Sequence, residues 1–214
     1  MELANPPVLA ELLLPGTPEG WVAIGFSVAD RAFQVGGVIC SVDEKPARWA
    51  FSSEIGGSTE IGGIETSLVG KGTDRDAPTE HINQCSKVDH VVIASERPEE
   101  IRAKLETLGF VCRGERVASQ ATDGRYQCFF WSGKVLLELV GHGVSNDADP
   151  ARAVLWGVTF VVPDFGWVAS LSDGILGEPR DAVQQGRQIA TVRRDHGLGI
   201  EVAFMTPHIK PASR

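Results

Sequence analysis

The chain has 214 residues, 43% of them hydrophobic and 22% charged, with a formal net charge of -8 at pH 7. That length gives one large domain or two small ones with a full core, and the composition is that of an ordinary globular protein, which excludes a disordered chain. No stripe of Lys and Arg occurs anywhere, which argues against nucleic acid as a partner, because phosphate binding needs clustered cations.

In chain order, the apolar run Val8 to Leu14 is short and carries Glu11, so it reads as neither a signal peptide nor a membrane span. A short docking helix stopped at Pro15-Gly16 is expected there. Residues 20–70 look all-β. The runs GWVAIGFSV, AFQVGGVICSV, RWAFSSEIG and GIETSLVG are rich in β-branched and aromatic residues and are separated by Gly, Pro and Asp. Gly36-Gly37 and Gly62-Gly63 mark tight turns, bulges or close backbone approach. Residues 70–87 are polar and irregular and serve as a connector.

The next stretch, 88–141, predicts strand, helix and three strands. Val88 to Ile93 is a short apolar run. Ser95 can cap a helix with Pro98 near its first turn, Ile101, Leu105 and Leu108 form one apolar face, and Gly109 ends it. Strands follow over Phe110 to Ala118, Tyr126 to Trp131 and Val135 to Val140, with turns at Asp123-Gly124 and Ser132-Gly133. After a polar link over 142–153 the same order returns. A strand spans Leu155 to Val162, a helix runs from Pro163-Asp164 to Leu176 and stops at Gly177, and strands cover Arg187 to Arg193 and Ile200 to Met205. Leu108 to Leu176 and Gly133 to Gly199 repeat at offsets of 68 and 66 residues. Two copies are too few for a solenoid, so two βαβββ units side by side fit best.

Two polar residues interrupt apolar strands in the first unit, His90 near its beginning and Glu138 near its end. A core histidine satisfied by its neighbours is the plain alternative for His90. A buried carboxylate without a partner is costly, so Glu138 must meet a cation, a donor or water. The pair can bind a metal, act as acid and base, or satisfy each other. In the third strand of the first unit Arg125, Gln127 and Phe129 alternate with Tyr126, Cys128 and Phe130. In the second unit Gln188, Ala190 and Val192 alternate with Ile189, Thr191 and Arg193. Periodicity alone does not say which set faces a pocket. Trp131, Trp156 and Phe204 read as core, and His81, His142, His196 and His208 as solvated. Four scattered cysteines (Cys40, Cys85, Cys112, Cys128) without a CxxC pair suit reduced thiols in a cytoplasmic protein. Cys85 lacks a base nearby in sequence, and neither GxGxxG nor a Walker loop occurs.

The run Asp89-His90-Val91-Val92, the helix ending Leu-Gly-Phe, and Leu136-Leu137-Glu138 before Val-Gly resemble the first module of the vicinal oxygen chelate superfamily, which includes glyoxalase I, bleomycin-resistance proteins and extradiol dioxygenases. Trp156-Gly157-Val158-Thr159-Phe160 and the closing Val202 to Pro207 resemble a second, glyoxalase-like module. The resemblance covers Val88 to Pro207 and leaves residues 1–80 unmatched. It implies an α+β fold in which two paired βαβββ modules (88–141 and 155–207) form a curved mixed sheet around a pocket, preceded by a small N-terminal β unit (1–80). It also implies that each module gives two ligands to a divalent metal, which would stabilise charge developing on a bound oxygen. His90 and Glu138 fall at the first module's ligand positions. Gly157 and Phe204 stand at the second module's, and Thr159 or Glu201 would reach the site only with a register shift. The expected function is a glyoxalase-like protein binding a small oxygen-rich or aromatic molecule, either as a metal-dependent lyase, isomerase or dioxygenase with His90 and Glu138 catalytic, or as a metal-free binding protein. A third reading is a scaffold whose N-terminal unit fills the cleft. A small-molecule ligand and a homodimer are the partners that fit.

Overall fold

The computed structural model describes residues 6–54, 56–70, 77–117, 124–142, 150–171, 174–193 and 196–208. Asp123 of the expected Asp123-Gly124 turn and most of the 142–153 link lie outside them. The described chain makes two sheets. The first contains β1 (Val8–Leu14), β2 (Ala32–Val35), β3 (Val38–Val42), β4 (Arg48–Ser52), β5 (Gly57–Ile61) and β6 (Ile64–Val69), in the order β2-β3-β1-β4-β6-β5. The second contains β7 (Lys87–Ser95), β8 (Cys112–Arg116), β9 (Arg125–Ser132), β10 (Val135–His142), β11 (Ala153–Val161), β12 (Arg180–Asp181), β13 (Gln188–Thr191) and β14 (Glu201–Met205). Its order is β12-β13-β14-β11-β7-β10-β9-β8.

The second sheet is two modules meeting at their first strands, the first βαβββ and the second with a 3-10 turn in place of the helix. β7 pairs in parallel with the last strand of its own module, β10, and β11 does the same with β14. The two first strands pair antiparallel at the centre. One helix, α2 (Pro98–Thr107), lies in the first module and buries Ile101 and Leu105. Gly109 (φ 90) follows its last turn in the left-handed region that ends helices. Ser95 is not its N-cap residue. That position is Arg97, and Ser95 Oγ accepts from the Arg97 N–H at 3.1 Å.

The first sheet repeats the plan with fewer strands. β1 is parallel to β3, β4 is parallel to β6, and β1 and β4 meet antiparallel in the middle. Residues 1–80, which resemble nothing by sequence, therefore carry the same pairing pattern as the modules that follow.

Three sequence expectations are corrected. Val8–Leu14 is a central strand, not a docking helix. Seven residues are too few to hold a helix alone, and the run has a hydrogen-bonded neighbour on each side. The strand expected at residues 20–28 is instead the helix α1 (Pro18–Ala23) followed by irregular chain. Thr17 Oγ1 caps it by accepting from Gly20 N–H at 3.2 Å, and Pro18 opens it where a missing N–H costs nothing. The long helix expected from Pro163 to Leu176 is a 3-10 turn over Gly166–Ser170. Asp164 Oδ1 accepts from the Gly166 N–H at 2.7 Å, a local turn that competes with helix. Trp167 of this turn packs edge-on to Phe204 with centroids 4.9 Å apart.

Both glycine pairs are two-residue hairpin turns with positive φ, 58° and 88° at Gly36-Gly37 and 61° and 95° at Gly62-Gly63. Gly62 also joins the sheets. Its carbonyl accepts from Ala153 N–H at 2.6 Å, and a Cβ there would lie 2.6 Å from Ile101 Cδ1.

One core spans both sheets. Its densest part is an aromatic seam between the first unit and the back of the second sheet. Phe26 stacks on Phe33 at 4.4 Å and meets Phe160 at 4.9 Å, Trp21 approaches Phe160 at 6.3 Å, and Phe51 meets Phe110 at 5.1 Å. Among the described residues no helix is long and apolar enough to cross a membrane.

His81, expected to be solvated, is 8% exposed. Its Nδ1 accepts from the Ser27 N–H at 3.2 Å and its Nε2 donates to the Gln34 carbonyl at 3.0 Å, which ties the connector to the first unit. Burial lowers its pKa below the ordinary histidine value, although the bond to Gln34 opposes the shift. A proton on Nδ1 would also face the Ser27 N–H. The unfolded chain takes up that proton first, so this contribution to stability is complete above the ordinary histidine pKa of about 6.5 and declines as pH falls below it. Urea unfolding of the wild type between pH 7.5 and 5 is expected to show that decline. His81→Ala is expected to be less stable at pH 7.5 by about 1–3 kcal/mol and to flatten the profile. An unchanged slope would remove His81 from this role.

Candidate functional site

The front of the second sheet is concave and encloses a cavity of about 580 Å³. His90, Val92 and Ala94 of β7, Glu138 and Val140 of β10, Gln127 of β9, Gly157 and Thr159 of β11, and Glu201 and Ala203 of β14 reach it. Ile189 and Thr191 of β13 and Arg180 of β12 close the far side. No described residue of 1–80 lines this cavity. The aromatic residues of the N-terminal unit pack on the opposite face, whereas the scaffold reading would have that unit fill the cleft.

His90 and Glu138 share the cavity because strand alternation and parallel register put them on one face. His90 stands opposite Leu136 and Glu138 opposite Val92, so the two are neighbours on adjacent strands, two residues out of step. Glu138 Oε1 accepts from Gln127 Nε2 at 3.0 Å. Gln127 Oε1 in turn accepts from Arg116 at 3.3 Å.

His90 is held at both nitrogens. Nδ1 donates to Asp89 Oδ2 at 3.0 Å, and Nε2 lies 3.0 Å from Thr159 Oγ1. With Nδ1 carrying its proton toward the Asp89 carboxylate, Nε2 is the acceptor and the Thr159 hydroxyl donates. Asp89 would point to the other face in a regular strand. A bulge prevents that: opposite Thr159 and Phe160 stand His90 and Val88, which leaves Asp89 as the extra residue, and a bulge re-aims its side chain. Arg187, 4% exposed, grips the carboxylate with Nη2 at 2.8 Å and Nη1 at 3.3 Å and donates Nε to the Thr206 carbonyl at 2.7 Å. Burial alone would raise the Asp89 pKa. The bonds from His90 and Arg187 outweigh it and hold the carboxyl well below the usual carboxylate range.

A second bulge, at Trp156, makes the register shift that brings Thr159 and Glu201 to the cavity. The pairings also fix the internal symmetry of the sheet. His90 pairs with Thr159 and Val92 with Gly157, so exchanging the modules maps His90 onto Gly157. Glu138, opposite Val92, then maps onto Ala203, opposite Thr159. Phe204, expected at that position, is fully buried in the aromatic seam on the other face. Trp156 and Trp131, read as core, are 48% and 49% exposed. Gln127 settles the face of β9, since Tyr126, Cys128 and Phe130 are buried behind it. Ile189 and Thr191 settle that of β13. Of the remaining histidines, His208 is exposed.

A divalent metal of the kind the resemblance implies does not fit this donor set. A tight catalytic centre uses three protein ligands and an open position. Here the two positions of the second module are a glycine and an alanine, and a Cβ added at Gly157 would already lie 3.3 Å from the Glu201 carbonyl. Among the described residues no group of three His, Cys, Asp or Glu side chains converges.

No family model matches the chain, and no curated protein matches it. Solved structures do. It is similar to a xylose isomerase-like TIM barrel/4-hydroxyphenylpyruvate dioxygenase fusion protein, with a TM-score of 0.60, 12% identity and 99% of this chain covered. The chain spans 50% of the length of that protein. A variant of 4-hydroxymandelate synthase from Streptomyces coelicolor gives the same TM-score and identity, covering 98% of this chain and 95% of that one. Methylmalonyl-CoA epimerase from Mycobacterium tuberculosis matches 59% of the chain at 14% identity, with a TM-score of 0.44. At these identities the likeness is one of fold. The chain has the vicinal oxygen chelate fold, and the first two matches extend it over the N-terminal unit.

Asp89 was visible beside His90 in the sequence, but strand alternation assigns it to the wrong face, and nothing local singles out Arg187. Removing Arg187 would leave a largely buried carboxylate with only the His90 bond and Lys87, whose Nζ stands 3.8 Å away and is half exposed. Arg187→Met is expected to destabilise the fold by about 3–5 kcal/mol, read as a lower urea midpoint. A loss under about 1 kcal/mol would mean that the ion pair is not structural.

Proposed function

We propose that the concave face of the second sheet binds a small oxygen-bearing molecule and that His90, oriented by Asp89, takes a proton from it. The observation that carries this reading is the chain Arg187–Asp89–His90–Thr159. It fixes the ring, sets the tautomer and leaves an acceptor nitrogen facing the cavity. Thr159 satisfies that nitrogen until a ligand's acidic O–H or C–H replaces it. The imidazolium then formed is stabilised by the Asp89 carboxylate, which stays ionised because Arg187 holds it. Glu138, kept in place by Gln127, accepts a hydrogen bond from a ligand hydroxyl and repels a ligand carboxylate from that wall. The cavity volume falls in the range of small-molecule sites. The glyoxalase-like fold supports a role of this type and leaves the ligand open.

A thermal-shift screen in chelator, using catechols, hydroxybenzoates and 2-oxo acids, tests binding. A ligand that binds only the native state at 100 times its Kd stabilises it by about 2.7 kcal/mol. For each 2-oxo acid that binds, exchange with D2O of the C–H next to its keto group, followed by NMR, tests proton transfer. Wild type is expected to catalyse exchange, Asp89→Asn to slow it, and His90→Ala to bind at least about tenfold more weakly and to abolish exchange. Equal binding and exchange by His90→Ala would sink the proposal.

Metal content gives a separate check. Protein purified without a histidine tag is expected to carry well under one divalent ion per chain, and chelator is expected to leave its melting temperature unchanged. One tightly held ion per chain, lost in His90→Ala, would restore the metal-dependent reading.

A further inference from the structure

We propose that Cys112 and Cys128 are a thiol pair that closes into a cross-strand disulfide when the protein meets a small-molecule disulfide such as oxidised glutathione. The two sulfurs lie 2.6 Å apart. That is nearer than non-bonded sulfurs sit, and within reach of a bond of about 2.05 Å after a small movement. The register explains the approach. Cys112 of β8 stands opposite Phe130 of β9, two residues beyond Cys128, so the cysteines are diagonal neighbours. A bulge between Cys112 and Gly114 displaces Arg113 and turns the edge strand inward at that point.

The two thiols have different surroundings. Cys112 is partly exposed, whereas Cys128 is fully buried beside Tyr126 and Phe130, behind the pocket wall. Burial, together with the hydrogen bond to Cys112, pushes the Cys128 thiol up to about 12. The outer sulfur is therefore the one a reagent meets. The Cys112 thiolate attacks one sulfur of glutathione disulfide, that S–S bond breaks, and one glutathione leaves as its thiolate. Cys128 then gives up its proton, attacks Cys112 Sγ and expels the second glutathione. Two protein thiols are oxidised, one glutathione disulfide is reduced to two thiols, and the two protein protons end on them. Cys40 and Cys85 are buried elsewhere in the core and take no part.

The bond would staple an edge. Among the described residues β8 pairs only with β9, and Arg102 of α2 bonded to Glu115 at 2.8 Å, Arg116 bonded to Gln127 and Tyr126 beside Glu115 add further ties. Gln127 is the residue next to Cys128 and holds Glu138 from the pocket side. Closing the disulfide fixes the strand pair that carries this support.

Reduced full-length protein is incubated with oxidised glutathione and digested under acid quench for peptide mapping by mass spectrometry. The expected product has lost two hydrogens, carries a Cys112–Cys128 crosslink, leaves Cys40 and Cys85 as thiols, and melts about 5–10 °C higher until dithiothreitol is added. Cys128→Ala is expected to stop at a stable glutathione adduct on Cys112, and Cys112→Ala to take up no glutathione. The proposal is overturned if wild type keeps its four thiols, accumulates the adduct without a crosslink, or crosslinks through Cys40 or Cys85. An unchanged or lower melting temperature in the crosslinked protein overturns the stapling of β8. If either variant fails to fold, the wild-type map and melting curve decide alone.

Discussion

The aromatic seam between the first unit and the back of the second sheet decides which face of that sheet is left open. Trp21, Phe26 and Phe33 come from the first unit, and Phe160 and Phe204 from β11 and β14, and every one of these rings is essentially inaccessible to water. Removing one such ring costs about 3–5 kcal/mol, which is a large part of the stability of an ordinary domain. A polar group at the edge of the seam needs its own partners, as His81 has in Ser27 and Gln34 where it packs edge-on to Phe26 and Phe33. The central strands of the second sheet therefore send an apolar set backward, as with Val91 and Ile93 of β7 and Leu137 and Leu139 of β10. The alternate set, which carries His90, Glu138, Gln127, Thr159 and Glu201, has only the concave side to occupy. The cavity is the consequence of which face the first unit covers.

Within the cavity, two bulges do what regular pairing cannot. Asp89 follows a buried valine and precedes a pocket histidine, and strict alternation would bury its carboxylate among the aromatic rings. The extra residue in β7 turns it toward His90 and Arg187 instead. The cost of desolvating that carboxylate is then met by two charged or polar partners and not by protonation. The result is a histidine with a fixed tautomer, the feature on which proton transfer depends.

What the sequence shows and what it hides divide along the same physical line. Periodic features were legible, including α2 from Ile101, Leu105 and Gly109, the Ser132-Gly133 hairpin, the repeated order of strands, and the common face of His90 and Glu138, which needs only a period of two and a parallel neighbour. Features set by tertiary context were not. Val8–Leu14 is strand because β3 and β4 flank it, and the run, apolar except for Glu11, carries no period to say so. Thr17-Pro18-Glu19 is a helix-start signal, but the aromatic and β-branched residues after it favoured strand. The bulges at Asp89 and Trp156 leave no local mark, so Thr159, Glu201 and Arg187 could not be placed, and one residue of misalignment put Phe204 where Ala203 stands.

The internal symmetry of the second sheet shows how its halves differ. The first module places an imidazole and a carboxylate on its wall, and the second has at the matching points only Gly157 and Ala203. The small residues at these two points enlarge the cavity on that side, and Ile189, Thr191, Arg180 and Glu201 line the wall beyond them. A symmetric set of four donors would draw a cation to the centre line. For the ligand proposed above, an asymmetric pair sets a direction, with its reactive end toward β7 and β10 and its bulk against β13 and β14. On that proposal the site suits an oriented small molecule better than a centred ion, because the imidazole and the carboxylate have no matching donors at Gly157 and Ala203.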